Sequence, residues 1–472
     1  MAQRRTRGSA RGGSSPGSAG QSPGPPGQPG PLARLDRIPV WPYERKLLWV
    51  VGAGYFFAFF DIVTISYAVP VISTQFHVSK ATVTLSVTSS LIGYIIGAFA
   101  DSTIADKWGR RLSLEISVAV FSIGTVLAAL SPNVELLIVF RFISGLGIGA
   151  EIASVTTYIG EIAPAPLRGR YTSWATTAAY AGFAAVPFLA RALVPTFAGG
   201  WRVLFVIGAL GGVTILFLRR GLPPSPRWLM TQGRTEEAGE VVAEAEQTAR
   251  DNIEGELPEP EAVPAEAVAE RFPIKALLRP PMVGRLGLFM GIWFVYYIGN
   301  YGWLTLAPTL FTDKGYSLAD STTYLIVSGL GFLLGAYATT RFSDRIERKY
   351  TTALIAVAWG VALLVIGFFV SPAIIIVFGF LASTTIGLLV PMLYTYTAEH
   401  FSTNARATGV ALTDGLGHIG GALAPLIVLG ANTAWGFSTA FLVMGVSGFV
   451  AAALILLGIT ATGRSLETVT AS

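Results

Sequence analysis

The chain has no cysteine among its 472 residues and only three histidines, His77, His400 and His418. Without cysteine there is no disulfide, no iron–sulfur cluster and no zinc site built on thiolates. Three histidines leave little material for a metal site of another kind. The chain also lacks a Walker motif, which excludes ATP hydrolysis as an expected driving force. We therefore expect no metal, no cofactor and no enzymatic activity.

Charge is scarce as well. Charged residues make up 13% of the chain and hydrophobic residues 52%, and the mean hydropathy is +0.58. An ordinary soluble domain is about 25% charged. A water-soluble chain of this length could not cover so much apolar surface, so the lipid bilayer must be the solvent for most of it.

Apolar runs long enough to cross a bilayer as helices recur along the sequence. Six precede the charged stretch at 219–283 and six follow it. They lie at 47–72, 83–105, 112–130, 135–160, 170–193, 201–218, 284–311, 319–341, 351–370, 372–397, 407–429 and 434–460. The predicted fold is an all-α membrane protein with twelve transmembrane helices in two six-helix, pseudo-symmetric halves.

The basic residues predict the orientation of these spans. Most of the 33 Lys and Arg residues fall in the tail, the central linker and the loops that share one side of the membrane with them. Such residues favour the cytoplasmic side, which places both termini there, and a prokaryotic inner membrane is expected. The predicted segments are a disordered tail (1–45), two bundles (46–220 and 284–462), a linker with an amphipathic helix (221–283) and a short tail (463–472).

The net charge of +5 is explained by this topology, so no nucleic-acid partner is expected. The first 31 residues are rich in Pro, Gly, Ser and Arg and are expected to stay disordered. They form either a passive solvated tail or one that binds anionic lipid. We read no signal peptide here, and we expect a monomer.

An internal duplication is visible in the charged residues that follow the apolar runs. Four pairs of identical residues are each separated by 238 positions: Asp106 and Asp344, Arg110 and Arg348, Glu161 and Glu399, Arg168 and Arg406. Duplicated halves are the construction plan of many secondary transporters.

Charges inside spans are costly and point to function. By helix rise, Asp61 lies about 24 Å up the first span and Arg141 about 9 Å down the fourth from the other side. In a hydrocarbon core about 30 Å thick, the two depths nearly coincide. They form either a static ion pair or a proton-coupling device in which protonation of Asp61 releases Arg141.

Other polar residues lie within the predicted spans. Asp101 and Glu151 fall near the inner ends, and Glu151 either joins a proton relay or pairs with a basic loop residue in an inner gate. Asp414 and His418 share one helix face, because they are four residues apart. His418 lies near the midplane, where it contacts substrate, moves protons or simply packs.

Aromatic residues concentrate in the seventh span. They predict a substrate site with apolar walls and few polar anchors, although Tyr and Trp also mark membrane interfaces. The cluster comprises Trp293, Tyr296, Tyr297, Asn300, Tyr301 and Trp303. Tyr394 and Tyr396 in the tenth span are weaker candidates.

These segments resemble the major facilitator superfamily over about residues 46–462. Residues 93–97 and 106–111 look like that family's loop between helices two and three. The resemblance implies that the eight duplicated residues form gates at the inner face. Ser102 and Thr340 replace the usual leading glycine of the motif, and Glu347 replaces a glycine in the second copy.

Within the superfamily, the chain looks most like the sugar-porter and metabolite:proton symporter group. In proton-coupled sugar porters an acid of helix one pairs with an arginine of helix four, and this implication falls on Asp61 and Arg141. Such porters also bind hydroxyls through glutamines, yet the predicted spans contain no glutamine.

The sequence therefore predicts a proton-coupled secondary transporter working by alternating access. Its substrate is a small organic metabolite, an organic or aromatic acid or a sugar-like compound, and the acid is favoured by the missing glutamines. Proton-driven efflux of an amphipathic compound and a non-transporting membrane sensor are the alternatives.

Overall fold

The computed structural model describes residues 29–260, 274–280, 282–342, 346–401 and 405–460. Twelve long helices in this part form two halves, as predicted. The first half consists of α2 (Arg45–Gln75), α3 (Lys80–Trp108), α4 (Arg110–Leu130), α5 (Val134–Ile162), α6 (Arg168–Leu193) and α7 (Gly200–Leu218). The second consists of α11 (Met282–Asp313), α12 (Leu318–Phe342), α13 (Arg348–Phe368), α14 (Pro372–Glu399), α15 (Arg406–Trp435) and α16 (Phe437–Ile455).

Length and composition qualify eleven of these helices as membrane spans. The exception is α6, where Arg168, Arg170 and several Ser and Thr residues dilute the apolar run. The predicted bounds are close to the observed ones, with one clear difference. The predicted break at 429–434 comes too early, because α15 continues to Trp435 and ends at Gly436, whose φ of 89° suits glycine.

Short helices cover one end of the bundle, which we call the tail face. They are α1 (Pro31–Asp36), α8 (Pro226–Thr231), α9 (Thr235–Arg250) and α10 (Ile274–Leu277). The indole of Trp228 in α8 donates to the carbonyl of Asp106 near the end of α3 (3.0 Å). Since α3 begins at Lys80, the opposite face carries Lys80 and the end of α11 at Asp313.

The tail is more ordered than the sequence predicts. Residues 1–28 lie outside the described part, but the segment 29–45 is described and includes α1. Leu35 and Ile38 are buried against Val242 and Ala245 of α9. The prediction of disorder over 1–45 is therefore wrong for its last third, because the apolar face of the linker helix gives this segment a surface to pack on.

Glycines set the closest helix contacts inside each half. A Cβ at Gly97 of α3 would lie 1.9 Å from the carbonyl oxygen of Leu146 in α5. At Gly335 of α12, which is 238 positions later, it would lie 2.1 Å from the carbonyl oxygen of Thr384 in α14. Backbones therefore touch at equivalent places in both halves, as expected for small residues in membrane helices. The 238-residue repeat seen in the charged residues is therefore also seen in the helix packing of the two halves.

Contacts between the halves concentrate toward the opposite face. Lys80 pairs with Asp313 at 2.5 Å, and the guanidinium of Arg191 donates to Thr323 at 3.1 Å. About two turns deeper in α3, the hydroxyl of Thr88 donates to the carbonyl of Ala422 at 2.8 Å. The described structure is thus closed at the opposite face.

Candidate functional site

An ion pair lies deep in the first half. The guanidinium of Arg141 in α5 donates to Oδ2 of Asp61 in α2 at 2.5 Å, and each side chain is 1% exposed. The two residues that the depth estimate placed at one level are therefore in direct contact. In this buried environment each charge is stabilised by the other, because a lone buried charge is very costly.

Further polar groups complete the surroundings of this pair. The hydroxyl of Thr125 in α4 donates to Oδ1 of Asp61 at 2.9 Å, and Ser144 lies 3.5 Å from Oδ2. Arg141 also donates to the backbone carbonyl of Asp61 (3.3 Å) and to the hydroxyl of Ser90 (3.4 Å). Within the described residues, its Nε has no hydrogen-bond partner. The Nε–H donor of this buried guanidinium is therefore left over.

A small cavity joins Arg141 to the second half of the molecule. Its walls include Ser90 and Tyr94 from α3 and Tyr301 and Thr305 from α11. The cavity therefore lies where the halves meet. Its volume of about 10 Å³ is that of a single water at most, so a substrate that touches Arg141 and both tyrosines requires the halves to move apart.

Aromatic rings enclose His418 of α15 beside this cavity. Tyr94 stacks on the imidazole with ring centroids 4.3 Å apart. The centroids of Tyr297 and Tyr301 lie 4.2 and 5.7 Å from it. The Nδ1 of His418 donates to the carbonyl of Asp414 at 2.8 Å, and the Tyr297 hydroxyl donates to the carboxylate of Asp414 at 2.5 Å. We call Tyr94, Tyr297, Tyr301 and His418 the aromatic cluster.

The remaining predicted aromatic residues extend away from this cluster. Trp293 packs on Tyr297 and Tyr394, with centroids 5.1 and 4.7 Å apart. The hydroxyl of Tyr296 bonds to Asn300 at 3.3 Å, and its ring packs edge-on to Trp359 inside the second half. Tyr296 and Asn300 are thus bonded to each other within α11.

Glu151, the other predicted proton-coupling residue, has a cationic partner of its own. Arg219 at the end of the first half pairs with its carboxylate, and both side chains are fully buried. The hydroxyl of Ser117 donates to Oε2 of Glu151 at 2.6 Å. The structure therefore brings Glu151 together with a basic residue at a helix end, and not with Asp61.

Three of the four predicted gate residues of the first half meet at the tail face. Arg110 donates to Asp106 at 2.7 Å and through Nε to Glu161 at 2.9 Å. Arg168 stands apart from this network. Its guanidinium lies 3.3 Å from the carboxylate of Asp36 in α1.

The second half repeats part of this arrangement. Arg348 pairs with Glu399, the counterparts of Arg110 and Glu161. The Nε of Arg406 donates to the carbonyl of Ala398 at 3.1 Å. Asp344 lies outside the described residues, so its predicted place in the gate stays a prediction.

The N-terminal segment supplies contacts that sequence reasoning missed. Arg34 and Arg37 donate to the carboxylate of Glu246 in α9 at 2.7 and 2.6 Å. Burial raises the pKa of Glu246, but the hydrogen bonds from the two guanidiniums outweigh burial and hold that pKa below its usual value. Asp36 accepts from Arg227 at 2.6 Å as well as from Arg168. We call residues 31–37 the strap.

One sequence observation needs correction. The helix α2 extends to Gln75, beyond the predicted span, so a glutamine does end a membrane helix. The side-chain amide oxygen of Gln75 accepts from the indole of Trp201 at 2.8 Å near the opposite face. Across the described ranges, no group of three His, Cys, Asp or Glu residues is arranged to hold a metal ion.

Comparison with known proteins assigns the family. The family model described as Major Facilitator Superfamily matches residues 51–425 and, in a second match, 327–471. The chain belongs to this superfamily and is a multi-pass membrane transporter of small molecules, not an enzyme.

Relatives agree over nearly the whole chain. It is 28% identical to the niacin transporter NiaP of Acinetobacter baylyi over 442 residues, which cover 93% of this chain and 99% of that protein. It is 27% identical to the 4-hydroxybenzoate transporter PcaK of the same species, over 83% of this chain and 86% of that one. The inward-open structure of the xylose transporter XylE from E. coli superposes with a TM-score of 0.71 at 22% identity, over 91% and 99% of the two chains. This confirms the predicted two-half fold.

Proposed function

We propose that this protein is a proton-coupled symporter that takes up an aromatic monocarboxylate. The observation that carries the proposal is the position of Arg141, which pairs with Asp61 and also lines a cavity shared with Tyr94 and Tyr301. We further propose that a single chain is the working unit in a bacterial inner membrane. The tail face and both termini are then cytoplasmic, in keeping with the basic residues there.

Coupling follows from the charge balance around Arg141. With Asp61 ionised, the pair is neutral and a substrate carboxylate would add an uncompensated negative charge to a dry site. Protonation of Asp61 removes its charge and frees the guanidinium to bind a carboxylate in the cavity. The unpartnered Nε supplies one donor for this second anion. Proton and substrate anion therefore bind together.

The aromatic cluster supports a ring-bearing substrate. Aromatic pairs attract through offset or edge-on contacts, and Tyr94 and Tyr301, which both pack on His418, also line the cavity. Relatives of this chain include transporters of niacin, benzoate and 4-hydroxybenzoate, and each of these compounds combines one carboxylate with one aromatic ring. A sugar would need many polar partners, and no amide side chain is among the described residues that line this cavity.

Alternating access assigns roles to the remaining predicted residues. With the opposite face closed, as here, the site would open toward the tail face. In the other state, the ends of the two halves that carry the Asp106–Arg110–Glu161 network and its repeat at Arg348 and Glu399 would meet and close the tail face. We place Glu151 with this gate, because its buried partner Arg219 ties α5 to the end of α7.

The test is uptake of radiolabelled nicotinate and benzoate, with xylose for comparison, by proteoliposomes under an inward proton gradient. Asp61→Asn should abolish accumulation against a gradient, while exchange of substrate across the membrane survives, because Asn mimics the protonated acid. The matched control is Asp320→Asn, which removes an exposed carboxylate at the start of α12. Unchanged uphill uptake by Asp61→Asn would refute the coupling, and uptake of xylose alone would refute the substrate class.

A further inference from the structure

A second buried carboxyl lies outside the site described above. Asp101 of α3 is 3% exposed and lies among serine hydroxyls of two neighbouring helices. Ser113 of α4 donates to its Oδ1. Ser154 of α5 lies 2.9 Å from Oδ1 and 2.8 Å from Oδ2. The two serine hydroxyls are themselves 3.0 Å apart.

This carboxyl has no neutralising cation in contact. Within the described ranges it makes no salt bridge, and the charged groups that act on it are Glu151 of α5 and Arg110 of α4. Glu151 is occupied by Arg219, and Arg110 by Asp106 and Glu161. An ionised Asp101 would therefore be a buried charge held only by neutral donors, which is unfavourable.

The number of protons available to the three oxygen contacts also favours a neutral carboxyl. Three short contacts close a ring: from Asp101 Oδ2 to Ser154, from Ser154 to Ser113, and from Ser113 to Asp101 Oδ1. Each contact needs one proton, but the two hydroxyls provide only two. With the carboxyl ionised, two oxygens would face each other at 3.0 Å with no hydrogen between them. With one added proton, Oδ2–H donates to Ser154, Ser154 to Ser113, and Ser113 to Oδ1.

We propose that Asp101 is a second proton-binding site of this transporter, held as a neutral carboxylic acid by a closed ring with Ser113 and Ser154. The proton comes from water at the tail face and returns there when the carboxylate forms. Release of the proton breaks the hydrogen-bonded ring and leaves an unpaired carboxylate charge between α3, α4 and α5.

The place of the ring in the fold connects it to the gate. Ser113 lies one turn beyond Arg110 on α4, and Asp101 lies five residues before Asp106 on α3. Deprotonation therefore weakens helix packing directly behind the Asp106–Arg110–Glu161 network. The proton site rests on the hydrogen-bond geometry alone, and its role in tuning the gate by pH rests on the proposed function.

The experiment is infrared difference spectroscopy of the purified full-length protein in lipid nanodiscs, titrated from about pH 5 to about pH 9 without substrate. An Asp61→Asn background removes the acid of the proposed coupling pair. We expect a protonated carboxyl C=O band that disappears at alkaline pH and is absent in Asp101→Asn. Asp320→Asn is the control and should keep the band. A band that survives in Asp101→Asn, or no such band in the parent, overturns the proposal.

Ser154→Ala provides a second test that keeps the carboxyl. Removing this hydroxyl opens the ring, so the band should shift to the position of a free acid and vanish at a different pH from the parent. An unchanged band would overturn the ring. Since no substrate is present, these results are independent of the uptake assay, and failure of uphill transport in Asp61→Asn bears only on the proposed function.

Discussion

Arg141 and Asp61 are in contact at 2.5 Å although 80 residues separate them, and neither side chain exposes more than 1% of its surface. Each is the only charged partner that the described structure gives the other. The energetics of the site therefore depend on the pair more than on either residue.

Truncation of one partner should be costly, and the cost should depend on pH. Arg141→Ala leaves Asp61 buried without its cation, which is expected to lower the free energy of unfolding by about 3–5 kcal/mol at neutral pH. Acid should reduce the loss, because protonation neutralises Asp61. Chemical unfolding in detergent at two pH values measures this. Arg191→Ala, at the opposite face, is the control and should change little.

Removing both charges should restore most of that stability. The double variant Asp61→Asn with Arg141→Gln leaves no bare charge and keeps groups that can hydrogen-bond to each other. If the double variant were as unstable as Arg141→Ala, the pair would not be coupled as described.

The aromatic ring of Tyr94 should contribute to substrate binding. Tyr94→Ala removes the stacking on His418 and one wall of the cavity, so nicotinate binding should weaken by about tenfold, equivalent to about 1.4 kcal/mol. Tyr94→Phe keeps the ring and should bind nearly as well as the parent. Ligand-dependent thermal stabilisation measures both. Equal losses in the two variants would show that the hydroxyl, not the stacking, is the contact.

Gly149 should tolerate no side chain. A Cβ there would lie 2.0 Å from the carbonyl oxygen of Tyr94, which belongs to backbone and cannot rotate away. Gly149→Ala is expected to cost about 1–3 kcal/mol or more of stability. Gly160→Ala, on the same helix but with nothing within 4 Å of the added atom, is the matched control. Similar melting temperatures for the two variants would contradict the close contact of α3 and α5.

The strap should leave α9 in acid. The pKa of Glu246 lies below its usual value, so its contacts with Arg34 and Arg37 stabilise the docked state above the ordinary carboxyl range. That stability is lost as the pH falls through the lowered value. Because the chain has no cysteine, Gly30→Cys and Ala243→Cys provide a unique spin-label pair whose distance distribution should broaden in acid.

Two variants of α9 test whether the carboxylate of Glu246 holds the strap. Glu246→Gln should broaden the distances already at neutral pH, whereas Glu240→Gln, on the exposed side of α9, should not. A narrow distribution in Glu246→Gln would mean that Leu35 and Ile38 hold the strap by apolar packing alone.

Much of the fold could be predicted because the bilayer restricts these apolar runs to one kind of structure, the membrane-spanning helix. Apolar runs of fixed length must become helices, and the 238-residue offset shows that the halves repeat. The contact of Asp61 with Arg141 could also be predicted, because depth follows from helix rise and two buried opposite charges at one depth attract.

Other parts of the site depend on packing that no single segment encodes. Arg219 neutralises Glu151 from the end of another helix, and nothing in the sequence selects it over neighbouring basic residues. Tyr94 was missed because one tyrosine in a membrane helix carries no periodic signal. The partner of Arg168 was missed because Asp36 lies in a tail whose composition favours disorder, and only the unpaired apolar face of α9 hinted at a docked segment.

The contacts between the strap and α9 also set the order in which parts of the chain can pack during synthesis. Arg34 leaves the ribosome early, but its partner Glu246 is made 212 residues later, after six membrane helices. Until then the strap can bind only through Asp36, whose partners Arg168 and Arg227 are made before Glu246. The contacts of Arg34 and Arg37 with α9 form after the whole first half has been made, and a chain that stalls before residue 246 lacks them.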